Sequence, residues 1–327
     1  MCWSSRLIAV SLLGVAIFSP LQAQQSNFGS RVDLGLIELG ALSEASGIAA
    51  SRKNAEVLWA HNDSGDSNRV FAFNRSGKHL GIFTLAGVQA RDWEDLALGP
   101  GPEEGADYLY IGEIGDNGAQ HDLKYVYRVR EPEVAAHQAP VALTLTAVET
   151  IAWRYPDGRR DAETLMLDPA TKDLYVVSKR EAAVRVYRAA YPQSTTDTIT
   201  LAQVTTLSFG GVTAGAISST GAEILIKTYD TIYYWKRSAG QTVAQALSQT
   251  PIKIPYIVEP QGEALCWQPE GKGYYTLSEE FRGIPARLYF YPRLASTGLK
   301  RYHDSRRGPA LFSARQLETA LFSVQRF

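Results

Sequence analysis

Cysteine is almost absent from this chain: Cys2 and Cys266 are the only two. Cys2 lies in the leader-like start described below, so the mature chain is expected to hold one thiol and no internal disulfide. Core burial must therefore hold the fold together, and roughly 300 residues are ample for that, as two ordinary domains or one large all-β domain. An excess of charge of either sign is missing too, with 33 basic against 34 acidic residues. That balance argues against nucleic acid or an anionic membrane as the partner. Long apolar runs are also lacking. The longest, Leu7 to Phe18, is too short to span a bilayer.

That run follows Arg6 and precedes small and polar residues around Ala23, the pattern of a secretory signal peptide. Residues 1–23 are expected to be removed near Ala23, leaving a soluble secreted or periplasmic protein with no membrane span.

What the chain does have is repetition. Five segments share one plan: SEASGIAASRKNAEVLWAHND from Ser43, RDWEDLALGPGPEEGADYLYIGEIGDN from Arg91, RDAETLMLDPATKDLYVVSKRE from Arg160, VTAGAISSTGAEILIKTYD from Val212, and EPQGEALCWQPEGKGYYTLSEE from Glu259. Each reads as a short apolar strand, a turn rich in Gly, Pro, Asp or Asn, and a second strand with alternating aromatic and β-branched residues. A third strand follows each copy: RVFAFNR, YVYRVRE, VRVYRAA, TIYYWKR and ARLYFYPR. Four copies also have a fourth strand, within HLGIFTL, TAVETIAWRY, ITLAQVTTLSF and TPIKIPYI. The fifth has none downstream, and VDLGLIELG near the mature N-terminus, within the segment 24–41, can supply it.

Four-stranded antiparallel units of about 50 residues, the last completed from the opposite end of the chain, imply an all-β β-propeller over residues 42–299. Ring closure removes open sheet edges. Aligning Ser46, Glu94, Glu163, Gly215 and Glu263 as one column gives steps of 48, 69, 52 and 48 residues. The long second step marks an enlarged blade. Five blades are favoured, with six as the alternative if the second blade hides a degenerate sheet or the tail forms one. Residues 300–327 read better as a tail with a helix, since Leu317, Leu321 and Val324 share a helical face and Ser313 can cap it.

Residues equidistant from a hairpin turn sit opposite each other. That rule pairs Glu94 with Glu113, Glu163 with Lys179, Gly215 with Lys227, Glu263 with Glu279 and Ser46 with Asp63, always at the end away from the turn. In a propeller these ends meet at one face of the central channel. The expected polar ring contains Ser46, Asp63, Asp92, Glu94, Glu113, Asp116, Asp161, Glu163, Lys179, Lys227, Glu259, Glu263 and Glu279. So much like charge raises carboxylate pKa values by mutual repulsion unless cations compensate, and Lys179 and Lys227 offset only part. Oxygen ligands of this kind suit Ca²⁺ better than zinc, with Asp63, Glu94, Glu113, Asp116, Glu163, Glu263 and Glu279 as the candidate ligands. The bland alternative is that polar strand ends satisfy backbone groups and tie blades together.

His61, two residues from Asp63, is a candidate base or a half-buried histidine bonded to a neighbouring blade. Cys266 within EALCW reads as core, and Trp59, Trp93 and Trp267 as packing between blades.

The segments ASGIAAS, WAHNDSG, RVFAFNRSGK, DWEDLALGP, EPQGEAL and YYTLSEE, spread from Leu42 to Arg293, resemble secreted bacterial propellers related to the SdiA-regulated proteins and the esterase-like phytase domains. The recurrent acid of the first strand is also similar to the pattern of calcium-dependent apyrase propellers, which have five blades. The resemblance implies a metal-assisted hydrolase or a ligand-binding propeller. The leading expectation is a calcium-assisted hydrolase of a small phosphate ester or similar anion. In it Glu94, Glu163, Glu263 and nearby Asp63 or Glu113 hold the metal, Lys179, Lys227 and Ser46 bind substrate, and His61 or a ring carboxylate moves the proton. The rivals are a non-catalytic module for a protein, peptide or glycan partner, with any metal structural, and a carbohydrate-active enzyme using paired carboxylates.

Overall fold

A computed structural model describes residues 27–295. The expected signal peptide (1–23) and the tail helix expected from Ser313 lie outside the described residues. The first strand is β1 (Val32–Leu36). Blade one follows as β2 (Ala45–Ala50), β3 (Val57–Asn62), β4 (Arg69–Asn74) and β5 (His79–Leu85). Blade two holds β6 (Trp93–Pro100), β7 (Asp107–Glu113) and β8 (Lys124–Arg130), then, after β9 (Val141–Leu145), β10 (Val148–Arg154). Blade three contains β11 (Ala162–Leu167), β12 (Leu174–Ser178), β13 (Arg185–Ala189) and, after β14 (Ile199–Thr200), β15 (Ala202–Thr206).

Blade four is β16 (Val212–Ile217), β17 (Glu223–Thr228), β18 (Ile232–Lys236) and, beyond the one-turn helix α1 (Val243–Leu247), β19 (Ile252–Ile254). Blade five runs β20 (Gly262–Trp267), β21 (Gly273–Ser278) and β22 (Arg287–Pro292). Its outer strand is β1, paired antiparallel to β22, so the two ends of the propeller close one blade. The inner strands contact one another in the cycle β2, β6, β11, β16, β20 and back to β2. This is a five-bladed β-propeller.

The long second step does not hide a sixth blade. Its extra residues include β9, which adds to blade one in parallel with β5, and β14 adds likewise to β10 of blade two. Each addition covers an outer edge that would otherwise offer unpaired backbone groups.

Five apolar clusters fill the wedges between successive blades. Inner strands are covered on both faces, which is why AETLML of β11 is buried at every position although it carries a glutamate. Trp93 packs in the wedge between blades one and two, and Trp267 in that between blades four and five, where its Nε1 also donates to Ala216 O at 3.2 Å. Fully burying such a side chain contributes roughly 2–3 kcal/mol. At the hairpin turns, Gly221 (φ 73°) and Gly271 (φ 71°) adopt the left-handed backbone these tight reversals require.

Every inner hairpin is irregular at the same place. Register slips by one residue at Ser46, in the Glu94–Asp95 pair, and at Glu163, Thr213 and Glu263. These are β-bulges, and beyond them the expected pairings are displaced by one or two positions. Trp93, rather than Glu94, faces Glu113; Ala162 faces Ser178; and Ala214, rather than Gly215, faces Lys227. In blade four the residue equivalent to Glu163 is therefore Thr213.

Candidate acidic site at the channel mouth

A bulge adds a residue to one strand and turns its side chain out of the regular alternation. Repeated at the start of all five inner strands, it gathers Ser46, Glu94, Glu163, Thr213 and Glu263 at one end of the channel. Carboxylates from neighbouring segments join them. Asp63, Glu263 and Glu279 form one close group, Asp63, Asp92 and Glu94 a second, and Glu94, Asp161 and Glu163 a third, each with ligand atoms within 4.8 Å of one another. Because Asp63 and Glu94 each belong to two groups, the three make a continuous arc.

Burial and mutual repulsion act together on this arc. Burial, then Glu163, Asp63 and Asp92, push the Glu94 carboxyl well above the usual range. Asp63 is raised to about 6 by burial and by Glu263 and Asp92. Glu279 is raised to about 8 by burial, Glu263 and Asp63. Burial also lifts Glu163 well above its ordinary value, against the pull of Lys179. Glu163 is 3% exposed and its Oε2 has no hydrogen-bond partner among the described residues.

The cations are unevenly placed. Lys179 stands at the mouth, paired with Glu163 Oε1 and donating to Tyr229 Oη at 3.0 Å, while Tyr229 donates to Glu263 Oε1 at 2.6 Å. Lys227 is wholly buried, with its ammonium on Gly262 O and 3.1 Å from Thr228 O. Burial lowers its pKa to about 8, with Glu259 and Glu263 opposing. Glu259 is set apart from the arc; its Oε1 accepts from Thr276 Oγ1 at 2.6 Å.

Glu113 and Asp116 lie behind the arc, each with its own cation. Glu113 accepts from the amides of Arg91 and Asp92 at 2.7 and 3.1 Å, with the Arg91 guanidinium 3.1 Å away. Asp116 holds Lys124 at 2.8 Å. The Ser46 hydroxyl donates to Glu94 O at 2.5 Å, joining blade one to blade two. His61 has no exposed surface: its Nδ1 is 2.8 Å from Asn62 O, its ring meets Trp93 edge-on at 5.5 Å, and burial lowers its pKa.

Three residues at the site were not picked out from the sequence. Tyr229 follows β17 directly and links Lys179 to Glu263. Arg180 Nε approaches Asp161 Oδ2 at 2.6 Å. Asp95, fully buried, accepts from Leu96 N at 2.8 Å, Leu165 N at 2.9 Å and Gly215 N at 3.3 Å, so one carboxylate joins three blades just beneath the mouth. An acid inside an apolar strand, directly after the aligned Glu94, is the signal that could have marked it.

Below Asp95 the channel narrows to a cavity of about 60 Å³ lined by Ile48, Leu96, Leu165, Gly215, Leu265 and their neighbours. The carboxylates stand at the mouth instead. Its donors are hard oxygens, a set suited to a divalent cation of the Ca²⁺ type.

No family model and no curated protein matches this chain. A solved structure described as "Structure of U3-55K" is similar over 80% of this chain and 98% of that one, with 10% sequence identity and a TM-score of 0.40. A likeness that distant carries no argument about function.

Proposed function

We propose that the mouth holds a hard divalent cation, Ca²⁺ in the first instance, and hydrolyses a small phosphate ester or similarly anionic substrate. The observation that carries this reading is the arc itself: seven buried or half-buried carboxylates, Glu94 and Glu163 among them, with Glu163 Oε2 unpartnered among the described residues. Like charge gathered there costs stability until a cation occupies it. Glu94, Asp161 and Glu163 would hold the ion, with Asp63, Asp92, Glu263 and Glu279 extending the ligand set. When bound, it would supply Lewis acidity to an ester oxygen.

Lys179, the lysine at the mouth, would meet the substrate anion, and Tyr229 would keep its ammonium oriented. A carboxylate of the arc, rather than the enclosed His61, would move the proton. The resemblance to esterase-like phytase and apyrase propellers supports the choice of a phosphate ester, and the leader-like residues 1–23 support action outside the cytoplasm.

The second reading is a non-catalytic module that binds a protein, peptide or glycan over a structural cation. It is favoured by the engagement of both lysines with protein partners. Calorimetric titration with Ca²⁺, paired with a panel of phosphate esters, lactones and glycosides, separates the two. The hydrolase reading expects turnover that chelation removes, and folded Glu94→Gln and Glu163→Gln proteins that lose it by 100-fold or more, on the order of 3 kcal/mol. Ca²⁺ binding without turnover of any ester would leave the second reading standing alone.

A further inference from the structure

Between β7 and β8, the loop from Ile114 to Leu123 runs along the arc. At Gly115 an added Cβ would overlap Glu94 Oε1 and lie 2.5 Å from the Asp92 carboxylate, so the bare backbone is in contact with both acids. Gly115 N donates to Asp92 O at 3.2 Å. The next amide, Asp116 N, donates to Asp161 Oδ1 at 2.8 Å. Two consecutive residues thus touch Asp92, Glu94 and Asp161, members of two of the three carboxylate groups.

The loop is held there by a side chain that does not reach the mouth. Lys124, the first residue of β8, has no exposed surface. Its ammonium lies 2.8 Å from Asp116 Oδ2 and donates to Gly115 O at 3.2 Å. Asp116 also accepts from Gln120 N and His121 N, both at 2.8 Å, which closes the loop on itself. A buried ion pair of this kind is a poor source of stability, because desolvation consumes most of its attraction. What it does supply is a fixed geometry for the Gly115–Asp116 peptide.

We propose that Lys124 is a positioning residue for the cation site: through Asp116 and the Gly115 carbonyl it presses this peptide against the arc, and the missing Cβ of Gly115 sets how closely Asp92 and Glu94 approach each other. The inference rests on the cation reading above. Groups that orient metal ligands from behind typically change affinity by about 10–100-fold when altered.

The test uses the full chain and Ca²⁺ alone, read by calorimetric titration and by melting with and without the ion. Gly115→Ala and Lys124→Met are each expected to weaken Ca²⁺ binding at least ~10-fold. The φ of Gly115 lies outside the left-handed region, so alanine adds no backbone strain; its overlap with Glu94 Oε1 and the Asp92 carboxylate has to be met by movement of those side chains, which the test reads as lost affinity. Arg237→Met is the control for generic damage, since it removes a buried bridge to Asp168 (2.8 Å) on residues outside the arc. It should lower the melting temperature and leave Ca²⁺ affinity unchanged. Should Lys124→Met fail to fold, Gly115→Ala decides. Wild-type affinity in both variants, or equal weakening in the Arg237 control, overturns the positioning role while the cation reading stands. A wild-type protein that does not bind Ca²⁺ overturns both.

Discussion

The two ends of the channel are built from the same five strands and have opposite chemistry. At the mouth the inner strands begin with Ser46, Glu94, Glu163, Thr213 and Glu263, each at a bulge. A few residues later the same strands line the narrow bore with Ile48, Leu96, Leu165 and Leu265. Regular pairing in the bore lets side chains alternate and pack, and packing stabilises. Bulging at the mouth turns charged side chains toward one another, and repulsion destabilises. Within one strand the stabilising half is thus separated from the half available for chemistry, the pattern expected where a site stores strain that the scaffold offsets.

Asp95 sits on that boundary, and altering it should have the largest effect. Its oxygens receive amides from blades two, three and four. Burial drives its carboxyl well above the ordinary range, and the three amides pull the other way. In Asp95→Asn a side-chain NH₂ would face amide donors and leave at least one of them unpaired in the interior. A loss of roughly 3 kcal/mol is expected in urea unfolding, with bore and mouth weakened together. A loss under ~1 kcal/mol would mean that the blades do not depend on this junction.

The repeat and the closing strand were open to sequence reading because both depend on local signals. Turn residues and alternation set the hairpins, and a fifth copy with three strands and no fourth downstream points to VDLGLIELG, which is β1. Bulges are harder to see. Counting outward from a turn assumes one residue against one; in blade four the pairing is displaced by one residue before the bulge and by a second at it, so Thr213 stands where Gly215 is expected. The rough neighbourhood of the acids is still legible because a slip of one or two residues moves a side chain by only about 3–7 Å along the strand. Burial was less legible. Lys179 and Lys227 stand at similar hairpin positions, yet one reaches the mouth and the other lies under Tyr256, with its ammonium 4.8 Å from the ring centre. What encloses Lys227 comes from a distant segment, and hairpin geometry says nothing about it.

pH should act on the mouth while sparing the bore. For a carboxyl whose folded pKa is raised, the unfolded chain ionises first, so stability is full below the unfolded value and is lost as pH rises through the folded one. Asp63 moves from 3.8 to about 6 and Glu279 from 4.5 to about 8. The ion-free protein is therefore expected to melt at progressively lower temperature between about pH 4 and pH 8. That decline should be smaller than the loss in Asp95→Asn, and saturating Ca²⁺ should flatten or reverse it by binding the ionised arc. A melting temperature that rises over this range without Ca²⁺ would show that the acids do not repel one another as their placement requires.

The smallest effect is expected at the other end, where Cys266 lines the bore at 6% exposure and burial pushes its thiol above the usual range. It belongs to the apolar cluster with Leu58, Ala60 and Leu277 in the wedge between blades five and one. Cys266→Ala removes one heavy atom from a packed site and should cost about 1 kcal/mol. The thiol of the native protein should resist an alkylating reagent that modifies it readily in urea, since a neutral, enclosed sulfur is a poor nucleophile. Ca²⁺ affinity should not move in Cys266→Ala, because Asp95 and the bulged layer lie between the bore and the arc. A change in affinity comparable to that expected for Gly115→Ala would show that the two ends are coupled through the strands, and that the chemical division along each strand is not also a mechanical one.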